Sequence, residues 1–153
     1  MALTLQKIPA TSSPLNVAPS GDPIDALRAK IAQKVFDSYC ETSTRSELIR
    51  YALNDLGLES SRASMAVDME LESVGCANEH KLIEELEGML HRFTDKDKKL
   101  DQKERSDAIQ MVCKARQGYA KGLSVDVAER RVLEYCRAHQ VKVKVGFLRW
   151  DVP

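Results

Sequence analysis

The residues best placed to do chemistry are the acids of Asp95-Lys-Asp97-Lys-Lys-Leu100-Asp101. Asp95, Asp97 and Asp101 fall at positions 1, 3 and 7 of a calcium-loop spacing, where oxygen ligands converge on the cation. The other positions fail. Lys99 stands where a fifth-position acid belongs, Leu100 replaces the turn glycine, and Ser106 replaces the bidentate glutamate. Lys96, Lys98, Lys99 and Lys103 would repel a divalent ion, so the segment reads as a solvated connector, and Glu104 could complete only a non-standard acidic site. These aspartates are the nearest approach to a metal site, and no cofactor is implied.

Cys40, Cys76, Cys113 and Cys136 lie far apart with no CxxC pair. Cys113 and Cys136 with His139, or Cys76 with His80, lack the close ligand pairs of structural zinc, so reduced thiols facing a core are expected. The chain has no GxSxG elbow, and Gly118-Tyr-Ala-Lys121-Gly122 lacks the spacing and ending of a phosphate loop. Glu84, Glu85 and Glu87 fall off an apolar helical stripe and read as a solvated face. His80, His91 and His139 have no partner in spacing. The expectation is a non-enzyme.

Charge offers more. The whole chain is neutral, but residues 66–104 carry eleven acids against six bases, and 105–153 ten bases against five acids. Arg130 and Arg131 lie on a helical pattern, with Lys142 and Lys144 following on an alternating Val141-Lys-Val143-Lys-Val145 run, then Phe147, Leu148 and Trp150. The alternation predicts a strand. A lone strand cannot satisfy its own backbone, so its partner is expected to be Leu3-Thr4-Leu5, another chain, or the chain's own helices by folding back. Val143, Val145, Phe147, Leu148 and Trp150, with Arg130, Arg131 and Lys144, are therefore the candidate contact residues for another protein or a second copy of the chain. The same basic face gives the alternative, a nucleic-acid-binding regulator. Two helix–Gly–helix units at 48–74 and 107–139 have a glycine turn as helix-turn-helix motifs do, and the second carries Arg130, Arg131 and Arg137 where the first carries Asp68, Glu70 and Glu72.

The elements that must carry these residues are helices. Asp22-Pro23 opens the first, and its stripe of Ile24, Leu27, Ile31, Val35 and Tyr39 predicts about 18 residues of helix. Thr44 and Glu47 form a capping-box pattern for the second, which stops at Gly57 with Leu58 packing back on Leu53. Ser60 or Ser61 caps the third, with Val67, Leu71 and Val74 on one side and Gly75 at its end. Asn78 caps the fourth, Asp101 the fifth, which is expected to run through Tyr119 and Ala120 to Gly122, and Ser124 the sixth. The predicted fold is all-α: one bundle-like domain of about six short helices over 22–139, a disordered tail over 1–21, and a short C-terminal strand over 140–153.

Bulk properties fit that reading. The chain has 153 residues, 43% hydrophobic and 30% charged, which is enough for one core. Its apolar runs are too short to span a bilayer, so no membrane partner is expected, and only Lys7 precedes the first helix as a positive charge, unlike a secretory leader. A cytoplasmic adaptor or regulatory protein is the expectation. A bacterial effector, with the Ser/Pro-rich tail as its secretion signal, is a further alternative.

Overall fold

The structure is a computed structural model that describes residues 21–153. The tail over residues 1–20, including Leu3-Thr4-Leu5, lies outside the described residues. Six helices and five short strands follow in the order α1 (Pro23–Lys34), β1 (Tyr39–Cys40), α2 (Thr42–Asn54), α3 (Ser60–Ser73), β2 (Ala77–Asn78), α4 (Glu79–Thr94), β3 (Lys99–Leu100), α5 (Gln102–Cys113), α6 (Val125–His139), β4 (Lys142–Val145) and β5 (Arg149–Asp151). The molecule is mostly helical, as expected, but the strands make "all-α" approximate.

The capping signals act unequally. Asp22 accepts from the Ile24 N–H with Pro23 in the first turn, and Asp101 and Glu104 exchange both bonds of a capping box. Asn78 and Ser124 occupy N-cap positions without making a side-chain cap bond. The Thr44–Glu47 box does not form. Helix α2 starts earlier, at Thr42, and Glu47 pairs with Lys34 at 2.9 Å instead. Helix α3 begins at Ser60 behind Glu59, so neither Ser60 nor Ser61 is its cap.

Two helices are shorter than their stripes. Helix α1 ends at Lys34 because Val35 is extended and Ser38 takes a left-handed φ of 59°, which turns Tyr39 into a strand. Helix α5 ends at Cys113, where Lys114 turns extended. Tyr119, Ala120 and Gly122 therefore lie in the connection 114–124, with Gly122 packed against the Val112 and Cys113 carbonyls, where a side chain would clash. At the end of α3, Val74 is 59% exposed and does not join the apolar side expected of it.

The six helices form two similar units, α1–α3 and α4–α6. Each unit pairs the strand before its second helix with the strand after its third, in parallel: β1 with β2, and β3 with β4. The pairing aligns the units residue by residue. Ser38 and Lys98 both have positive φ before the first strand, and Gly75 and Gln140 both do so after the third helix. The N–H groups of Cys76 and Val141 then reach back to the carbonyls of Leu71 and Cys136, at 3.0 and 2.8 Å, the long bond of a Schellman stop. Buried positions match too: Cys40 with Leu100, Leu48 with Ala108, Ala63 with Ala128, Val67 with Val132, and Cys76 with Val141. Each unit closes its own hydrophobic core.

Glu79, the first residue of α4, joins the units. Its carboxylate accepts from the Tyr39 hydroxyl, from Thr42 N–H at 3.3 Å and from Thr42 Oγ1 at 3.0 Å. Since Glu41 makes no cap bond, the second unit supplies the cap of α2. Burial and the Glu79 carboxylate push the Tyr39 phenol well above its usual pKa. A second tie runs from Lys121 to Asp37 at 2.9 Å.

Candidate functional site

The C-terminal strand is not unpaired. Its partners are elements of the same chain that period-two reading did not see. Strand β4 sits between β3 and β5, with Val143 opposite Leu100 on one side and Asp151 on the other. Alternation then sorts the candidate residues. Val141 is fully buried and Val143 packs on the core of the second unit, while Lys142 and Lys144 point to solvent. Val145 is already 49% exposed.

Beyond Val145 the chain turns at Gly146, whose φ of 74° suits glycine. The turn projects Phe147 and Leu148, which are 89% and 84% exposed, clear of every core residue. Trp150 returns opposite Lys144, half-buried, with the Lys99 ammonium 5.4 Å from its ring centroid. That distance suits a cation–π contact. Arg149 is exposed beside the tip and pairs with its neighbour Asp151 at 2.7 Å. The result is a rigidly rooted hairpin with an apolar tip and lysines and arginine on its flanks.

The helix-borne cations are not part of it. Arg131 pairs with Glu134 on its own helix at 3.1 Å, and no hydrogen bond or ion pair among the described residues ties Arg130 or Arg131 to the hairpin. Arg137 does reach it, donating from Nε to the Pro153 carbonyl at 2.9 Å. Sequence spacing missed Lys99 and Arg149 because the sheet, not the helix period, brings them together. The helix-turn-helix comparison also loses force for 107–139, since the connection 114–124 is far longer than a glycine turn.

The aspartates of the 95–101 connector serve local structure. Asp97 Oδ1 accepts from Lys99 N–H at 3.1 Å, and Asp101 is engaged in its capping box. Asp95 occupies the C-cap position of α4. No group of three potential metal ligands forms among the described residues. All four cysteines are free, with Cys40, Cys76 and Cys136 buried and Cys113 partly so. Burial pushes the Cys40 thiol up to about 12 and Cys76 up to about 11, so both stay protonated near neutrality.

A second feature had no signature in the sequence. Between the units lies a cleft of about 180 Å³, walled by α3, β2 and the start of α4 on one side and by the 114–122 connection on the other. At its base Arg45 grips Asp68 through two bonds of 2.7 and 2.8 Å, and Asn78 Nδ2 donates to the same carboxylate at 2.8 Å. Burial alone would raise the pKa of Asp68, but the bonds and charge of Arg45, helped by Asn78, hold it below the usual carboxylate range. Asn78 was legible as a helix start. That its amide turns away from the helix toward Asp68 was not.

No family model, curated protein or solved structure matches this chain.

Proposed function

We propose that the chain is a non-enzymatic docking module, and that its hairpin tip inserts Phe147 and Leu148 into an apolar socket rimmed by acids on a partner protein. The supporting observation is the exposure of these two large side chains at the end of a hairpin whose root is packed in the core. Lys142, Lys144 and Arg149 flank the tip, so an acidic rim on the partner would be steered toward it. Clustered apolar anchors inside a polar ring are the usual carriers of interface energy, at roughly 2 kcal/mol or more each.

The test places a photo-crosslinking phenylalanine analogue at position 147 in the source organism, with adducts identified by mass spectrometry. The expected outcome is a discrete protein adduct that falls about thirtyfold in yield of complex when Leu148→Ser removes one anchor of roughly 2 kcal/mol. Lys144→Glu with Arg149→Glu should slow capture and flatten its salt dependence. Absence of any adduct refutes the reading, and an adduct only with a second copy replaces the partner by the chain itself.

The runner-up is a phosphate-backbone binder using the same flank, with Arg137 and Lys99 added. Asp126, Glu129 and the Arg131–Glu134 pair on α6 argue against it. A mobility-shift assay at low salt separates the two readings, because backbone contacts are strongest there.

A further inference from the structure

The two units differ in length at one connection and in polarity at one network, and these two places face each other. In the first unit residues 55–59 join the second and third helices, while in the second unit residues 114–124 do so. The longer connection comes down over the polar base of the first unit, close enough that a Cβ on Gly75 would lie 2.4 Å from the Gly118 carbonyl. The strand pairing equates Asn78 with Val143, and the matched burial of α3 and α6 equates Asp68 with Leu133. Since the second unit folds with apolar residues there, the fold does not require the polar ones.

Asn78 lines the cleft and is 8% exposed. Its Nδ2 donates to Asp68, and a carboxylate can only accept, so the orientation of the amide is fixed by chemistry. Its Oδ1 is thereby left as a buried acceptor with no partner. Such groups are rare because they lose their bonds to water and gain none. Asp68 and Glu72 lie on the same wall. The facing wall carries Lys114 and Tyr119, and no carboxylate lies within ion-pair distance of Lys114 among the described residues. The cleft thus sets a free acceptor with Asp68, Glu72 and Lys81 on one side against an unpaired ammonium on the other, with Leu82 and Ala77 between.

We propose that this cleft binds a small zwitterion of α-amino-acid size. The ligand's ammonium donates to Asn78 Oδ1 beside the Glu72 carboxylate, Asp68 being already paired with Arg45. The ligand's carboxylate meets Lys114 across the cleft. The cleft, about 180 Å³ and open to solvent, has room for a small ligand of this kind. The site shares no residue with the hairpin.

The experiment titrates the full chain with each common L-amino acid singly, at up to millimolar concentration, and follows ¹H–¹⁵N correlation spectra. Acetate and methylamine serve as the one-armed controls. At least one amino acid is expected to shift the amides of Gly75, Asn78, Lys81 and Tyr119 in a saturable way. Asn78→Val and Lys114→Glu should each weaken binding about tenfold or more, the loss of one charge-assisted contact. Asn78→Val keeps the fold testable, because valine already stands at the matching position of the second unit. No saturable shift with any amino acid overturns the proposal. So does equal binding by acetate alone, which makes the cleft an anion site, or affinity unchanged in both variants.

Discussion

Stability and docking should respond in opposite orders along one short stretch, Val141 to Leu148. Val141 is fully buried, Val143 half-buried and Val145 half-exposed, while Phe147 and Leu148 are almost free of the protein. Val141→Ala removes two methyl groups from a closed site. At about 0.8 kcal/mol each for transfer, plus the cavity left behind, the cost is about 2–3 kcal/mol. Val143→Ala should cost about 1 kcal/mol, and Val145→Ala about 0.5 kcal/mol with its lower strand propensity included. Phe147→Ser and Leu148→Ser should stay within about 0.5 kcal/mol of the parent, as substitutions at exposed positions do. Urea unfolding followed by circular dichroism reads this order directly. Complex formation with the crosslinked partner should run the other way, lost at Phe147 and Leu148 and retained in Val145→Ala. If Phe147→Ser or Leu148→Ser costs more than about 1 kcal/mol of stability, the tip is part of the core and the docking argument fails.

Further outcomes follow from backbone geometry and titration. Gly75→Ala should cost roughly 3 kcal/mol, since it adds a left-handed strain of about 1–2 kcal/mol to a clash with the Gly118 carbonyl. Gln140→Gly, at the matching position, should instead stabilise by up to about 1 kcal/mol in thermal melts. The depressed Asp68 carboxyl contributes stability above its unfolded pKa of about 4, and that contribution is lost as pH falls through the lower folded value. The stability gap between the parent and Arg45→Met should therefore shrink as pH is lowered from about 5 toward 2. The raised Cys40 and Cys76 thiols act at the opposite end. Their contribution is complete below about pH 9 and is lost as pH climbs toward their folded values of about 12 and 11. Cys76→Ala should make that alkaline slope shallower by up to ~1.4 kcal/mol per pH unit, and native thiol titration should label the half-buried Cys113 first.

Helices were legible because period and caps agree. Asp22-Pro23 and Asp101 each fix a start, and apolar spacing of three and four fixes a face. The errors came where apolar spacing ran past a backbone turn. Tyr39 continues the α1 stripe, yet the left-handed Ser38 has already redirected the chain, and serine gives no warning of positive φ. Tyr119 and Ala120 continue the α5 stripe, yet Gly122 serves a close approach to Cys113 and not a helix end. Two-residue strands such as Tyr39–Cys40 are shorter than any period and become visible only through their partners. Of the candidate contact residues, alternation identified the strand but could not say that Val143 faces the core and Phe147 does not. The cleft was invisible because its parts, at residues 68–82 and 114–122, are joined only by the packing of one unit on the other.

The doubled fold separates residues that serve the scaffold from those that do not. Where the units agree in burial and backbone angle, as at Cys76 with Val141 or Gly75 with Gln140, the position closes a helix and seats a strand in both. Where they diverge, folding alone does not account for the residue. After β2 the chain enters α4 at once, whereas after β4 it turns at Gly146 and returns as β5. The parallel pair is complete without that return, since the first unit manages with two strands. Phe147 and Leu148 therefore stand on an addition that the unit does not need, carry no packing, and cost solvent-exposed apolar area. The same logic applies to Asn78 and to the connection 114–124, one an orphaned acceptor and the other an insertion laid over it. Both departures from the repeat thus lie at a surface where something other than this chain's own core could be satisfied: an apolar socket for the tip, and a donor for the buried amide.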